Sequence, residues 1–136
     1  MNIFQSTTLV TLKTSLDAAV LRHEAIAHNI ANVNTPRFKR IDVNFKSQLQ
    51  AALNRQSAAQ GARTHPKHLP IGPPRLDEVQ PRIYQENDTS LRVDESNVDI
   101  DTEMGALSQN ATYYTVLARL ISDHYGGIES VIRGRV

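Results

Sequence analysis

Residues 100–132, IDTEMGALSQNATYYTVLARLISDHYGGIESVI, decide the fold. Within them Ile100, Met104, Leu107, Ala111, Tyr114, Ala118, Ile121, Tyr125, Ile128 and Ile132 recur at intervals alternating between four and three. Such spacing puts every one of these side chains on a single stripe of a helix, and a strict seven-residue repeat implies a left-handed supercoil. A matching seam stands at the other end of the chain: Leu9, Leu12, Leu16, Ala19, His23, Ile26, Ile30 and Val33. All six prolines lie outside the two seams. The pattern predicts a mainly α protein: two long N- and C-terminal heptad helices packed as a coiled coil or helical bundle. A short helix, a Pro-rich loop and a small β-hairpin are expected between them.

A chain of 136 residues reads as a single subunit in three stretches: an N-terminal arm over 1–34, an irregular middle over 35–96 and a C-terminal arm over 97–136. The first helix is expected from about Leu9 to Asn32, with a frayed start because residues 1–8 offer no strong cap. Asn32, Asn34, Thr35 and Pro36 stop it, Asn by favouring a left-handed cap and Pro by disfavouring helix at the residue before it. Ile41, Val43 and Phe45 alternate with Asp42 and Asn44, an extended stretch; Phe45, Leu49 and Leu53 then suggest a short helix ending near Arg55. Residues 56–81 have no period and read as a loop. Arg82–Tyr84 and Leu91–Val93 flank a polar turn and read as the hairpin. Asn97, Asp99 or Asp101 caps the last helix, which runs to about Arg133.

The arms need partners. Isolated helices are marginal in water, and Gly105, Gly126 and Gly127 each cost the last helix about 1 kcal/mol relative to Ala. Leu117, Leu120 and Val131 widen its apolar stripe beyond what a two-stranded coil covers, which favours packing among more than two helices. Gly126-Gly127 marks either a kink or a close approach of another backbone. Charge is split: residues 1–70 carry +6 and residues 71–136 carry −5. The halves are therefore solvated separately or pair within or between subunits.

Little points to chemistry. Cysteine is absent, which excludes disulfides, thiolate metal sites and cysteine nucleophiles. His65 and His68 are two ligands where zinc wants three or four. His23 reads as a packed or partly solvated seam residue. Asp99, Asp101 and Glu103 alternate across a helix start and read as capping rather than metal binding. Arg37, Lys39 and Arg40 around Phe38 make one basic-aromatic patch, better read as a packing turn than as a nucleic-acid site. No cofactor, metal, nucleic acid or small-molecule substrate is expected, and no enzyme. No apolar run approaches the ~18 residues that cross a bilayer, and no cleaved leader is evident.

Two segments carry a resemblance. Ala27-His28-Asn29-Ile30-Ala31-Asn32-Val33-Asn34-Thr35-Pro36-Arg37-Phe38 resembles the N-terminal signature of flagellar rod, hook and hook-associated axial proteins, approximately A-N-N-I-A-N-V-N-T-P-G-Y. Asn97-Val98-Asp99-Ile100-Asp101-Thr102-Glu103-Met104 is similar to the family's N-V-D-x-D-x-E-M at the start of the C-terminal helix. The short chain, without large inserted domains, is most similar to the proximal rod members. His28 stands where the family often has Asn and Arg37 where it usually has Gly. The resemblance implies a structural subunit of the basal-body rod, exported across the inner membrane without leader cleavage. It implies contacts with itself, other rod subunits, the membrane ring and the export apparatus. The expected assembly interface is Leu9, Leu12, Leu16, Ile26, Ile30 and Val33 on the first helix. On the second it is Ile100, Met104, Leu107, Tyr114, Ile121, Tyr125, Ile128 and Ile132. The alternative reading is a soluble coiled-coil adaptor or export chaperone, which would be a stable folded dimer in isolation.

Overall fold

A computed structural model describes residues 6–55, 76–87 and 95–134. Its elements in chain order are α1 (Thr7–Ala31), β1 (Ile41–Asn44), α2 (Lys46–Arg55), a single 3₁₀ turn (Leu76–Glu78), β2 (Arg82–Gln85) and α3 (Ile100–Ile132). Most of the expected loop, His65 and His68 with it, and Leu91–Val93 lie outside the described residues.

The fold is mainly α, and its two long helices pack antiparallel. Asn29 near the end of α1 meets Glu103 near the start of α3, and Asn110 further along α3 donates to the carbonyl of Ala19 further back on α1. Ala18, Ala19 and Ala25 on α1 are buried, and their small side chains let backbones come close. α1 starts two residues earlier than its seam suggests because Ser6 caps it, its Oγ accepting from Leu9 N–H at 3.3 Å. At the far end Asn32 closes the helix without a left-handed turn (φ −104°); its Nδ2 donates to the His28 carbonyl at 2.8 Å instead. Asp99 is the cap of α3, accepting from the Asp101 N–H at 3.0 Å and the Thr102 hydroxyl at 2.9 Å.

The strand over Arg82–Gln85 does form and its described partner is β1, while Leu91–Val93, the other half of the expected hairpin, lies outside the described residues. The pair is antiparallel, with Ile41 opposite Gln85 and Asn44 opposite Arg82. A short local turn made the hairpin attractive on sequence; pairing across some forty residues leaves no local signal. The alternation in β1 is real: Val43 is buried while Asn44 is exposed. Val43, Phe45, Ala52 and Val79 join Ala18 and Ala25 in a small apolar cluster against one side of α1.

The C-terminal seam has the right period and the wrong phase. The buried residues of α3 are Glu103, Asn110 and Leu117, seven apart, one residue before the expected Met104, Ala111 and Ala118. Ile100, Met104, Ala111, Tyr114, Tyr125 and Ile132 are exposed, and Leu107, Ala118, Ile121 and Ile128 are half-buried. The physical reason is that two of the three inward positions are polar, so counting apolar residues finds the neighbouring stripe. The N-terminal seam fares better. Leu9, Ala19 and Ile26 are buried, Leu12, Leu16, Ile30 and Val33 half-buried, and only His23 faces outward.

Candidate functional site: the junction of the two signature segments

The two motif-bearing segments, some seventy residues apart in sequence, meet at one end of the molecule around the first residues of β1. Glu103 is the centre. Its side chain is 1% exposed, and a carboxylate so placed must be paired and hydrogen-bonded. Oε1 accepts from Arg40 Nε at 2.5 Å and Oε2 from Asn29 Nδ2 at 3.1 Å. Arg40 is itself mostly covered, and its Nη1 reaches Glu86 at 3.0 Å and Asp42 at 3.4 Å. Burial opposes the charge on Arg40, but the hydrogen bond it donates to Glu103 and the carboxylates of Glu103, Asp42 and Glu86 outweigh it. They hold its pKa above that of a free guanidinium.

Two asparagines lock the backbone around this ion pair. Asn29, fully buried, uses its amide as a short strand would: Oδ1 accepts from Ile41 N–H at 3.0 Å and Nδ2 donates to the Ile41 carbonyl at 2.8 Å. Asn97 does the same across the sheet end, accepting from Arg40 N–H at 2.6 Å and donating to the Glu86 carbonyl at 2.8 Å. Asp would lack the donor, and Gln would carry one methylene too many for this reach. Beside Asn97, Val98 is buried at 2% exposure and Ser96 is fully covered. The signature residues Asn29, Asn97, Val98, Asp99 and Glu103 thus have structural tasks within one subunit. Met104, next to Glu103, is 52% exposed and takes no part.

The turn between α1 and β1 is built by the remaining N-terminal motif residues. Thr35 N–H donates to the Asn32 carbonyl at 2.9 Å and Phe38 N–H to the Thr35 carbonyl at 3.3 Å. Ala31, Asn34, Thr35 and Pro36 are exposed. Arg37 adopts φ 60°, the left-handed region that favours Gly, as does Glu95 with φ 64°. Arg37 and Glu95 face each other at 3.6 Å in an exposed ion pair, and Phe38 packs on the His28 ring at 5.4 Å. The basic-aromatic patch is therefore a packing turn, and the basic first half pairs with the acidic second half at Arg37–Glu95, Arg40–Glu86 and Arg40–Glu103. The sequence reading missed Arg40. One signal was available: an acid among the apolar residues of a helix start demands a cation, and Arg40 lies between the motifs.

The expected assembly residues divide. Leu9, Leu12, Leu16, Ile26, Ile30 and Val33 are turned at least partly inward, as are Leu107, Ile121 and Ile128; Ile100, Met104, Tyr114, Tyr125 and Ile132 are open to solvent. Among the described residues no helix is long and apolar enough to cross a membrane, and no three His, Asp or Glu side chains are grouped to hold a metal ion.

A sequence profile for the family described as "Flagella basal body rod protein" matches residues 11–39, which span the inner part of α1 and the Asn29 turn. The chain is 35% identical to the flagellar basal body rod protein FlgB of Borrelia hermsii, over 98% of this chain and 100% of that protein. It is 29% identical to FlgB of Bacillus subtilis (strain 168), over 98% of both, and 28% identical to FlgB of Escherichia coli (strain K12), over 88% of both. These relatives are named as rod proteins, not as adaptors, chaperones or enzymes. End-to-end similarity at this level, with both signature segments meeting in one junction, places the chain in the FlgB family of flagellar basal body rod proteins, structural subunits of the rod.

Proposed function

We propose that this subunit assembles through its terminal helices, with copies of itself and other rod subunits, into an open helical array that carries torque in the basal body. The reading includes passage across the inner membrane without leader cleavage and contact with the membrane ring and export apparatus. One observation supports it most: the large apolar side chains left exposed are concentrated on α3, including Ile100, Met104, Tyr113, Tyr114, Val116, Leu120, Tyr125, Val131 and Ile132. They form two rows, Ile100, Met104, Tyr114, Tyr125 and Ile132 on one flank of the inward face and Tyr113, Val116, Leu120 and Val131 on the other, along a 33-residue helix. Rows of this extent are more than scattered surface apolarity, and such patches mark contacts. On α1, by contrast, Val20 stands alone as a large exposed apolar side chain. The coiled-coil packing expected of the seams is accordingly assigned to contacts between subunits, where the two exposed apolar rows of α3 meet neighbouring helices.

The test is Met104→Asp with Tyr114→Asp. Both side chains are exposed in the subunit, so the doubly substituted protein keeps its helical circular dichroism. Burying two carboxylates in the array is unfavourable, so the variant is absent from isolated basal bodies and the cells are non-motile. Normal incorporation would remove the row holding Met104 and Tyr114 from the assembly.

A further inference from the structure

A groove of about 510 Å³ opens between α1, the β1–α2 corner and α3. Its floor is small: Ala19 on α1 and Ala106 on α3. Leu49 and Tyr113 form apolar walls, and Arg22 and Lys46 put two cations at the edge. The cations are incompletely used. Arg22 gives one nitrogen to the Val43 carbonyl at 2.8 Å, but its Nε is buried without a hydrogen bond, 3.5 Å from Asp42. Lys46 is exposed and makes no ion pair among the described residues.

At the other end of the molecule stands a surface of the opposite kind. α3 has 33 residues and α1 has 25, so the last turns of α3 outrun the described α1 by about 12 Å. Tyr125, Ile128, Glu129 and Ile132 share one face there. Tyr125 is 48% exposed and Ile132 77%. Among the described residues Glu129 pairs only with Arg133 of its own helix, an exposed i,i+4 contact of the kind that contributes little.

We infer that this groove receives the C-terminal end of α3 from a second copy of the chain, with Ile128 and Ile132 entering over the alanine floor and Glu129 meeting Lys46 and Arg22. The inference deepens the rod-subunit reading and rests on it. Apolar bulk meets an apolar hollow, and an acid meets Lys46, unpaired among the described residues, beside an Arg22 held by Asp42 in a 3.5 Å ion pair. The chain cannot fill its own groove. Asn110 lines it, and Glu129 lies nineteen residues further along the same helix, about 28 Å away. Groove and helix end are different surfaces, so the contact is heterologous. Repeated, a contact of this kind builds a ring or an open helical array rather than an isologous dimer, and the rod-subunit reading selects the open array.

The chain has no cysteine, which makes the test clean. Lys46→Cys with Glu129→Cys, both at exposed positions, is expressed in place of the native subunit, and isolated basal bodies are oxidised and run on a non-reducing gel. The expected result is a ladder of dimers and higher species containing most of the incorporated subunit; each single-cysteine variant stays monomeric. Leu49→Cys with Ile128→Cys is read in the same way. Recovery in basal bodies with no ladder from either pair would overturn the docking while leaving the rod-subunit reading intact. Failure of the native subunit itself to appear in basal bodies would instead overturn that reading. If Lys46→Glu abolishes incorporation and Glu129→Lys in the same chain restores it, the contact is charge-specific as drawn; no effect of Lys46→Glu counts against it.

Discussion

The two ends of α3 solve opposite problems. At its start the inward face is polar, and the central groups find partners inside the subunit: Glu103 with Arg40 and Asn29, Asn97 with Arg40 and Glu86. At its other end apolar side chains face out, with Val131 and Ile132 both 77% exposed. The inward face of the first region is complete in one chain, and the second leaves large apolar side chains in water. The contrast separates two tasks often merged when a helical seam is read. Directional hydrogen bonds fix the register of the subunit, whereas in the proposed assembly non-directional apolar surface is left for contacts between subunits.

The sharpest way to break the comparison is at its polar end. Glu103→Leu takes the closest partner from a mostly covered Arg40 guanidinium and leaves it Asp42 and Glu86; the expected loss is up to about 3 kcal/mol in urea unfolding. Met104→Ala, one residue on and 52% exposed, should change stability by less than about 0.5 kcal/mol. Combining Glu103→Leu with Arg40→Met removes both charges and should recover much of the loss. Equal effects at 103 and 104 would mean that α3 is not phased as described.

Asn29→Ala comes next. It leaves the N–H and carbonyl of Ile41 without their side-chain partners and takes one donor from Glu103. About 1–3 kcal/mol should be lost, and Asn29→Asp, which puts a second carboxylate beside Glu103, should be at least as harmful. Unfolding midpoints within error of the native protein would show that the junction is not what sets the register.

Arg37→Gly should move the other way. Relief of the left-handed strain at φ 60° is expected to stabilise the subunit by about 1 kcal/mol, less the small contribution of an exposed ion pair. A lower thermal midpoint in the Gly variant would contradict this.

The smallest effect is one of acidity. The hydrogen bond from the Thr102 hydroxyl, then that from the Asp101 N–H, holds the Asp99 carboxyl below its usual range. A group whose folded pKa is depressed adds stability above its unfolded pKa and loses it as pH falls through the folded value. The start of α3 should therefore loosen in acid. Asp99→Asn, which still caps a helix, should flatten that part of the pH dependence of helicity without altering the rest.

Much of this architecture was legible. The inner stripe of α1, the helix stop before Pro36, the alternation in β1 and a cap among Asn97, Asp99 and Asp101 all follow from local rules, and the structure shows each. Three features were not legible, for separate reasons. The phase of α3 was hidden because Glu103 and Asn110 occupy inward positions that apolar counting skips. The pairing of β2 with β1 was hidden because a long-range ladder leaves no mark near either strand. Arg40 was hidden among three basic residues of one turn, and only its distance to Glu103 distinguishes it from Arg37 and Lys39. The signature segments were readable as a pattern; why Asn29, Asn97 and Glu103 are needed together became visible only when they met.

The central claim is that the two exposed apolar rows of α3 are open in the free subunit and covered in the rod. Single cysteines at Met104, Leu120 and Ile132, in a chain with none of its own, test it by maleimide labelling before and after assembly. All three should label rapidly in the purified subunit and be protected in isolated basal bodies, while a cysteine at Asp17, on the exposed side of α1, should label in both. Rapid labelling of Met104, Leu120 and Ile132 within the assembled rod would contradict the account.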